Sequence, residues 1–117
     1  FSRLASNKDE NPVVFQIKEY LHQNYAVPSL SVPDISEHVR LSPTYVCTLF
    51  KNETGQTLNQ YLTDYRIKMS KQFLSDPLYK ITDISAKVGY SDGNYYSKAF
   101  RKIVGLSPSE YREKMLR

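Results

Sequence analysis

One pattern occurs twice in this 117-residue chain. Asp34-Ile35-Ser36-x-x-Val39 returns as Asp83-Ile84-Ser85-x-x-Val88, 49 positions later. One residue is then inserted, and at an offset of 50 Tyr45 matches Tyr95, Phe50 matches Phe100, Lys51 matches Arg101, Gly55 matches Gly105 and Tyr61 matches Tyr111. Two unrelated amphipathic helices would share apolar positions by chance. They would not also share the Asp, the Ser, the Gly and the Tyr in order. The chain is therefore built from a duplicated unit, and its length suits one domain or two very small lobes sharing a core.

Local signals make that unit helical. Asn11-Pro12 supplies an N-cap and a first-turn proline, and Val14, Ile17, Leu21 and Tyr25 follow at helical spacing until Val27-Pro28. Ser31-Val32-Pro33-Asp34 opens a short helix to about Val39, with an Asp where a full capping box has Glu or Gln. Ser42-Pro43 opens the next, to about Glu53, with Gly55 as its terminating residue. Another begins near Thr57 and stops at Asp76-Pro77. It is apolar on two sides, through Leu58, Leu62, Tyr65, Met69 and Phe73 on one and Ile67 and Leu74 on the other. No stretch alternates with period two, so no strand is predicted.

A short helix, a tight turn and a second helix make a helix-turn-helix. The steep crossing asks for a small residue at the closest approach, and Ser36 and Ser85 sit there. The turn asks for a residue that tolerates positive φ; Gly89 fills that place in the second copy and Arg40 in the first. In the second helix of the first copy (about 43–53), Val46, Leu49, Phe50 and Tyr45 are assigned to the apolar stripe, which leaves Thr44, Cys47, Thr48 and Lys51 outward. In the other copy (about 93–104) the outward set is Asn94, Ser97, Lys98 and Arg101, with Gly93 at the N-terminal edge. Such a face suits a major groove about 12 Å wide, although small polar residues also suit plain solvent. The connecting helix, read as 19 residues, spans roughly 28 Å, against roughly 34 Å between successive major grooves on one face of a duplex.

Charge follows the same division. Residues 1–56 carry five basic and six acidic side chains, whereas residues 57–117 carry eleven and six, so the net charge of +4 resides in the second half. A basic half is what phosphate binding needs. The single cysteine, Cys47, excludes an internal disulfide and fits a reducing compartment, here the cytoplasm. One Cys and two His, His22 and His38, make no structural zinc set. No nucleophile–base pair, paired carboxylates or phosphate loop is present, so neither an enzyme nor a cofactor is expected. No apolar run suits a bilayer span, no signal peptide is recognised, and membrane contact is not expected. Phe1 is not an initiator Met, which points to a longer or processed parent chain.

From Asn11 to Arg112 the sequence resembles the DNA-binding domain of the AraC/XylS family of bacterial transcription regulators. The resemblance is carried by Gly89-Tyr90-Ser91-Asp92-Gly93-Asn94-Tyr95-Tyr96-Ser97-Lys98-Ala99-Phe100-Arg101-Lys102 and by Gly105-Leu106-Ser107-Pro108-Ser109-Glu110-Tyr111-Arg112. Phe50-Lys51-x-Glu53-Thr54-Gly55 and Tyr61-Leu62-x-x-x-Arg66-Ile67 also fit, while Tyr96 stands where Phe is more usual. The resemblance implies an all-α, seven-helix fold of two helix-turn-helix subdomains joined by a long linker helix. The expected layout is a terminal linker (1–11), a first subdomain (12–56), the linker helix (57–76) and a second subdomain (77–117). It further implies promoter double-stranded DNA and RNA polymerase as partners, and a sensory domain elsewhere, in some members a two-component receiver.

By the same resemblance the base-contacting positions fall on Thr44, Cys47 and Thr48 and on Gly93, Asn94, Ser97 and Lys98. Arg40 departs from the expected turn glycine, Gly93 offers no side chain, and the first recognition helix lacks an arginine for guanine. Lys51, Arg101 and Lys102 are expected on phosphates. Arg66 is expected in an internal ion pair, His22 and His38 on helix surfaces, and the tyrosines, Tyr45 and Tyr95 among them, in the core. The competing reading is a helical protein-interaction module that does not touch DNA.

Overall fold

The computed structural model describes residues 10–116. Nearly all of the expected terminal linker lies outside these residues. Among the described residues there are seven helices and no strand: α1 Pro12–Asn24, α2 Val32–Val39, α3 Pro43–Thr54, α4 Leu58–Leu74, α5 Ile81–Lys87, α6 Gly93–Val104 and α7 Pro108–Met115. The all-α class is as expected. The chain forms two compact units. The first runs up to Asn24 and resumes over Leu30–Tyr61; the second comprises Tyr25–Ser29 and everything from Leu62 onward.

The helix starts follow their capping residues. The Asn11 side chain accepts from the Val13 N–H at 2.8 Å, and Ser42 Oγ accepts from the Tyr45 N–H at 3.1 Å. Despite its shorter side chain, Asp34 completes the reciprocal half of its cap by accepting from the Ser31 N–H at 3.1 Å. Reciprocal capping recurs at two further sites, 50 residues apart. Thr57 N–H donates to Gln60 Oε1 (2.9 Å) and Gln60 N–H to Thr57 Oγ1 (3.1 Å). Ser107 N–H likewise donates to Glu110 Oε1 (2.8 Å) and Glu110 N–H to Ser107 Oγ (3.1 Å). Gly55 (φ 81°) and Gly105 (φ 91°) end α3 and α6 in the left-handed region.

In the first unit the buried apolar residues are Val14, Ile17 and Leu21 of α1, Ile35 of α2, Val46 and Phe50 of α3, and Leu58. Phe50 meets Tyr61 edge-on, with ring centroids 5.4 Å apart at 73°. The second unit centres on Ile67 and Leu74 of α4, Ile84 and Val88 around α5, and Tyr96 and Phe100 of α6. Phe100 meets Tyr111 at the same 5.4 Å and 73°. Along α4 the deepest residues are Ile67, Ser70 and Leu74, whereas Tyr65, Met69 and Phe73 are only half-buried. Ser70 is accommodated because its hydroxyl donates to the Ile67 carbonyl at 2.7 Å.

Two arginines hold equivalent turns of the chain. Arg66 Nε donates to the Tyr25 carbonyl (2.8 Å) and its Nη2 to that of Val27 (3.0 Å). Arg112 Nε donates to the Leu74 carbonyl (3.0 Å) and its Nη2 to that of Asp76 (3.1 Å), each acceptor lying 49 residues after its counterpart. The expected ion pair of Arg66 is therefore replaced: among the described residues its partners are carbonyls, and its charge faces the Tyr90 ring at 5.6 Å. Burial lowers the Arg66 pKa, against the Tyr90 contribution. Tyr25, expected on the α1 stripe, lies beyond that helix and packs edge-on against Tyr65.

The turn position behaves differently in the two copies. Arg40 adopts φ 60°, the left-handed conformation the sequence demanded of it, and Gly89 adopts φ 97°. At Gly89 space is limiting as well, because a Cβ would lie 2.3 Å from the Tyr25 carbonyl oxygen and 2.7 Å from Arg66 Nε. Gly89→Ala should thus cost more than the about 1–2 kcal/mol of a left-handed alanine alone, whereas Arg40→Gly should gain no more than about 1 kcal/mol, since a freer unfolded chain offsets the relief. Tyr96 is fully buried, and its hydroxyl meets no partner at good hydrogen-bond geometry among the described residues. Burial raises its pKa, against the neighbouring Ser70 hydroxyl and Arg112 charge. Tyr96→Phe should stabilise the fold by about 1 kcal/mol. Urea unfolding of the four proteins checks all three values, and a less stable Tyr96→Phe would show that the hydroxyl is satisfied.

Candidate nucleic-acid interface

The first interface is the α2–turn–α3 unit. Ser36 is buried and donates to the Pro33 carbonyl at 2.9 Å, so its hydroxyl is satisfied while the side chain stays small. Val46 and Phe50 turn α3 inward, with Leu49 half-buried beside them. At roughly 100° per residue this directs Thr44, Cys47, Thr48 and Lys51 to the opposite side, and all four are exposed. Lys51 Nζ donates to the Gly55 carbonyl at 3.1 Å, which lays its charge over the C-terminal end of α3, where cations are favoured.

The α5–turn–α6 unit repeats the construction with different chemistry. Ser85, buried, donates to the Thr82 carbonyl at 3.0 Å, the same three-residue back-bond as Ser36. A Cβ at Gly93 would lie 3.9 Å from Ser85 Oγ, so two small residues face each other where the helices meet. Asp92 Oδ1 accepts from the Asn94 N–H at 2.8 Å and starts α6. Tyr96 and Phe100 face inward, leaving Gly93, Asn94, Ser97, Lys98, Arg101 and Lys102 exposed. Lys98 and Lys102 have no carboxylate partner among the described residues.

Arg101 lies 3.5 Å from Glu110, a pair too exposed to add much stability. The Ser107 N–H holds the Glu110 carboxyl below its ordinary pKa, with the Ser107 hydroxyl and the Arg101 charge adding to the effect. Glu110 therefore serves first as the cap of α7, and Arg101 keeps a free edge toward solvent.

All nine side chains assigned to DNA from the sequence are thus exposed, three base candidates and one cation on α3, three and two on α6. Two exposed residues on these helices depart from the inward direction expected of them. Tyr45 is 52% and Tyr95 67% exposed, so neither packs in the core. Their position on the helical wheel, between the outward ridge and the buried edge, admits either direction, and the pairwise match of the two copies was the available sign of a shared role. His22 also departs from expectation, being half-buried with a ring nitrogen 2.8 Å from the Tyr61 hydroxyl. His38 is exposed, its ring 4.4 Å from that of Tyr20.

Among the described residues no group of His, Cys, Asp and Glu is arranged to hold a metal, and no helix is long and apolar enough to cross a membrane. What the two faces offer is hydrogen bonding and positive charge.

Comparison with known proteins agrees with this arrangement. The family profile described as a helix-turn-helix domain matches residues 35–114. The Msm operon regulatory protein of Streptococcus mutans is 36% identical over 110 residues, covering 94% of this chain and 39% of that protein. The transcriptional regulatory protein HptR of Staphylococcus aureus is 35% identical over 111 residues, covering 95% of this chain and 43% of its own length. The C-terminal domain of AraT, a response regulator from Geobacillus stearothermophilus, superimposes with a TM-score of 0.86 at 29% identity, covering 89% of this chain and 86% of that one. The chain belongs to the AraC/XylS family of helix-turn-helix transcription regulators, as a DNA-binding domain. It spans about two fifths of the length of the curated relatives it matches.

Exposure of the α3 ridge has a direct chemical readout. Cys47 is a free, exposed thiol, so a thiol-exchange reagent should titrate one equivalent per native chain without denaturant. A thiol that reacts only after unfolding would show that this ridge is covered.

Proposed function

We propose that the chain reads promoter DNA with α3 and α6 set into adjacent major grooves. Thr44, Cys47 and Thr48 of the first helix and Asn94, Ser97 and Lys98 of the second approach base edges, while Lys51, Arg101 and Lys102 contact phosphates. The observation that carries this reading is the shared exposure of two repeat-related ridges, one polar with a single lysine, the other with three cations. Asn94 has the donor–acceptor pair that matches adenine, and Lys98 a donor for guanine O6 and N7. The base-facing residues of α3, Thr44, Cys47 and Thr48, can form only weaker base contacts, so selectivity is expected to reside mainly in the half-site under α6.

The whole protein would couple this domain to a sensory or receiver domain and to RNA polymerase, and act in the cytoplasm without catalysing a reaction. The regulatory names of the relatives support this assignment. Their additional length supplies room for such a domain.

Selection of bound duplexes from a random pool tests the reading and yields the site. Affinity for the selected duplex should fall by about 10³–10⁵ between 50 and 200 mM salt, as for 6–10 phosphate contacts. Lys98→Ala should cost about 1–3 kcal/mol on the selected duplex and less on random DNA. Bound duplex should also slow the titration of Cys47. Binding insensitive to salt, or failure to retain any duplex, would leave the protein-interaction module as the better account.

A further inference from the structure

Tyr45 and Tyr95 occupy the same place in the two copies: each is the third residue of its recognition helix and stands on an exposed flank. Tyr96, Tyr61, Tyr111, Tyr25 and Tyr90 all make ring contacts within their units. Tyr45 and Tyr95 make none, and neither hydroxyl has a partner among the described residues. Core packing therefore does not explain why a large, half-apolar side chain occurs at both positions.

Their direction supplies the explanation. At roughly 100° per residue, Tyr45 lies about 60° around the helix from Thr48, and Tyr95 the same angle from Lys98. A helix with its side chains is about 10–12 Å across, close to the about 12 Å width of the groove. Residues on its outermost ridge then meet base edges, and those on its flank meet the groove wall, which is lined by phosphates and sugars. Tyrosine suits that wall, since its ring covers the sugar while its hydroxyl donates to a phosphate oxygen. Both tyrosines lie in the first turn, near the positive end of the helix dipole.

Building on the groove-reading assignment above, we infer that Tyr45 and Tyr95 are matched phosphate contacts that set the depth and rotation of the two recognition helices. Because the phenol is neutral, its contact adds a hydrogen bond without displacing a condensed counterion. That separates it from the contacts of Lys51, Arg101 and Lys102.

The test compares Tyr45→Phe, Tyr95→Phe and the double variant with wild type and Lys102→Ala, on a duplex selected by the wild-type protein and on a scrambled duplex of equal length. Thermal melting accompanies each variant. Each Phe variant should keep the wild-type melting point and bind both duplexes about three- to tenfold more weakly. The slope of log affinity against log salt should stay as in wild type, whereas Lys102→Ala should make it shallower by about 1. Wild-type affinity in the double Phe variant and in Tyr45→Ala/Tyr95→Ala would overturn the inference while leaving groove reading intact. A loss confined to the selected duplex would overturn it in favour of base contact. If wild type retains no duplex, the groove-reading assignment fails first and this inference with it.

Discussion

Each recognition helix can turn a polar ridge to solvent only because its opposite side is anchored, and in both units an edge-to-face aromatic pair provides that anchor. Phe50 against Tyr61 and Phe100 against Tyr111 share the same centroid distance and angle, although the residues around them differ. The pair joins the last turns of one helix to the start of the next, across the glycine cap and the capping box. A lysine from three helices earlier lies over each tyrosine, Lys18 of α1 at 5.6 Å and Lys71 of α4 at 5.8 Å. Each tyrosine ring thus makes a T-shaped pair with a phenylalanine and carries a cation over it, both contacts that its quadrupole favours. Removing either phenylalanine would leave a large void under a helix whose outer residues contribute little to holding it in place.

Around this shared frame the copies differ in their turn residue and in the charge of their outward ridge. The first copy uses Arg40 in the left-handed turn position and carries Lys51 as the one cation of its outward ridge. The second uses Gly89 and gathers Lys98, Arg101 and Lys102 along one helix. Gly89 is required on two grounds, backbone conformation and the contact with the Tyr25 carbonyl and Arg66, whereas Arg40 answers only to the first. A duplicated scaffold thus tolerates local strain in one copy and forbids it in the other, according to what packs against the turn.

The helices, their caps and the small residues at the helix crossings were legible because each depends on chemistry within a few positions along the chain. Asn11, Ser42, Gly55 and Gly105 act on their own turns, and Ser36 and Ser85 bond back three residues. The outward site residues were legible for the same reason, since Val46 and Phe50, or Tyr96 and Phe100, fix the inward direction of a regular helix. Arg66 was misread because its partners, Tyr25 and Val27, lie about 40 positions away and are backbone carbonyls, which leave no mark on side-chain pattern. Tyr45 and Tyr95 were misread because an aromatic residue at the edge of a stripe satisfies either direction.

Sequence by itself determined that this chain is a twofold helical repeat, where its first four helices begin, and which small polar and basic residues face outward, because those properties follow from local hydrogen bonding and a fixed helical period. Only the tertiary structure decided which stripe of α4 is deepest, that Arg66 and Arg112 clamp equivalent carbonyls, that the buried Tyr96 hydroxyl has no partner among the described residues, and that Tyr45 and Tyr95 are exposed. Those outcomes depend on which atoms, distant along the chain, reach van der Waals contact, and periodicity carries no information about that.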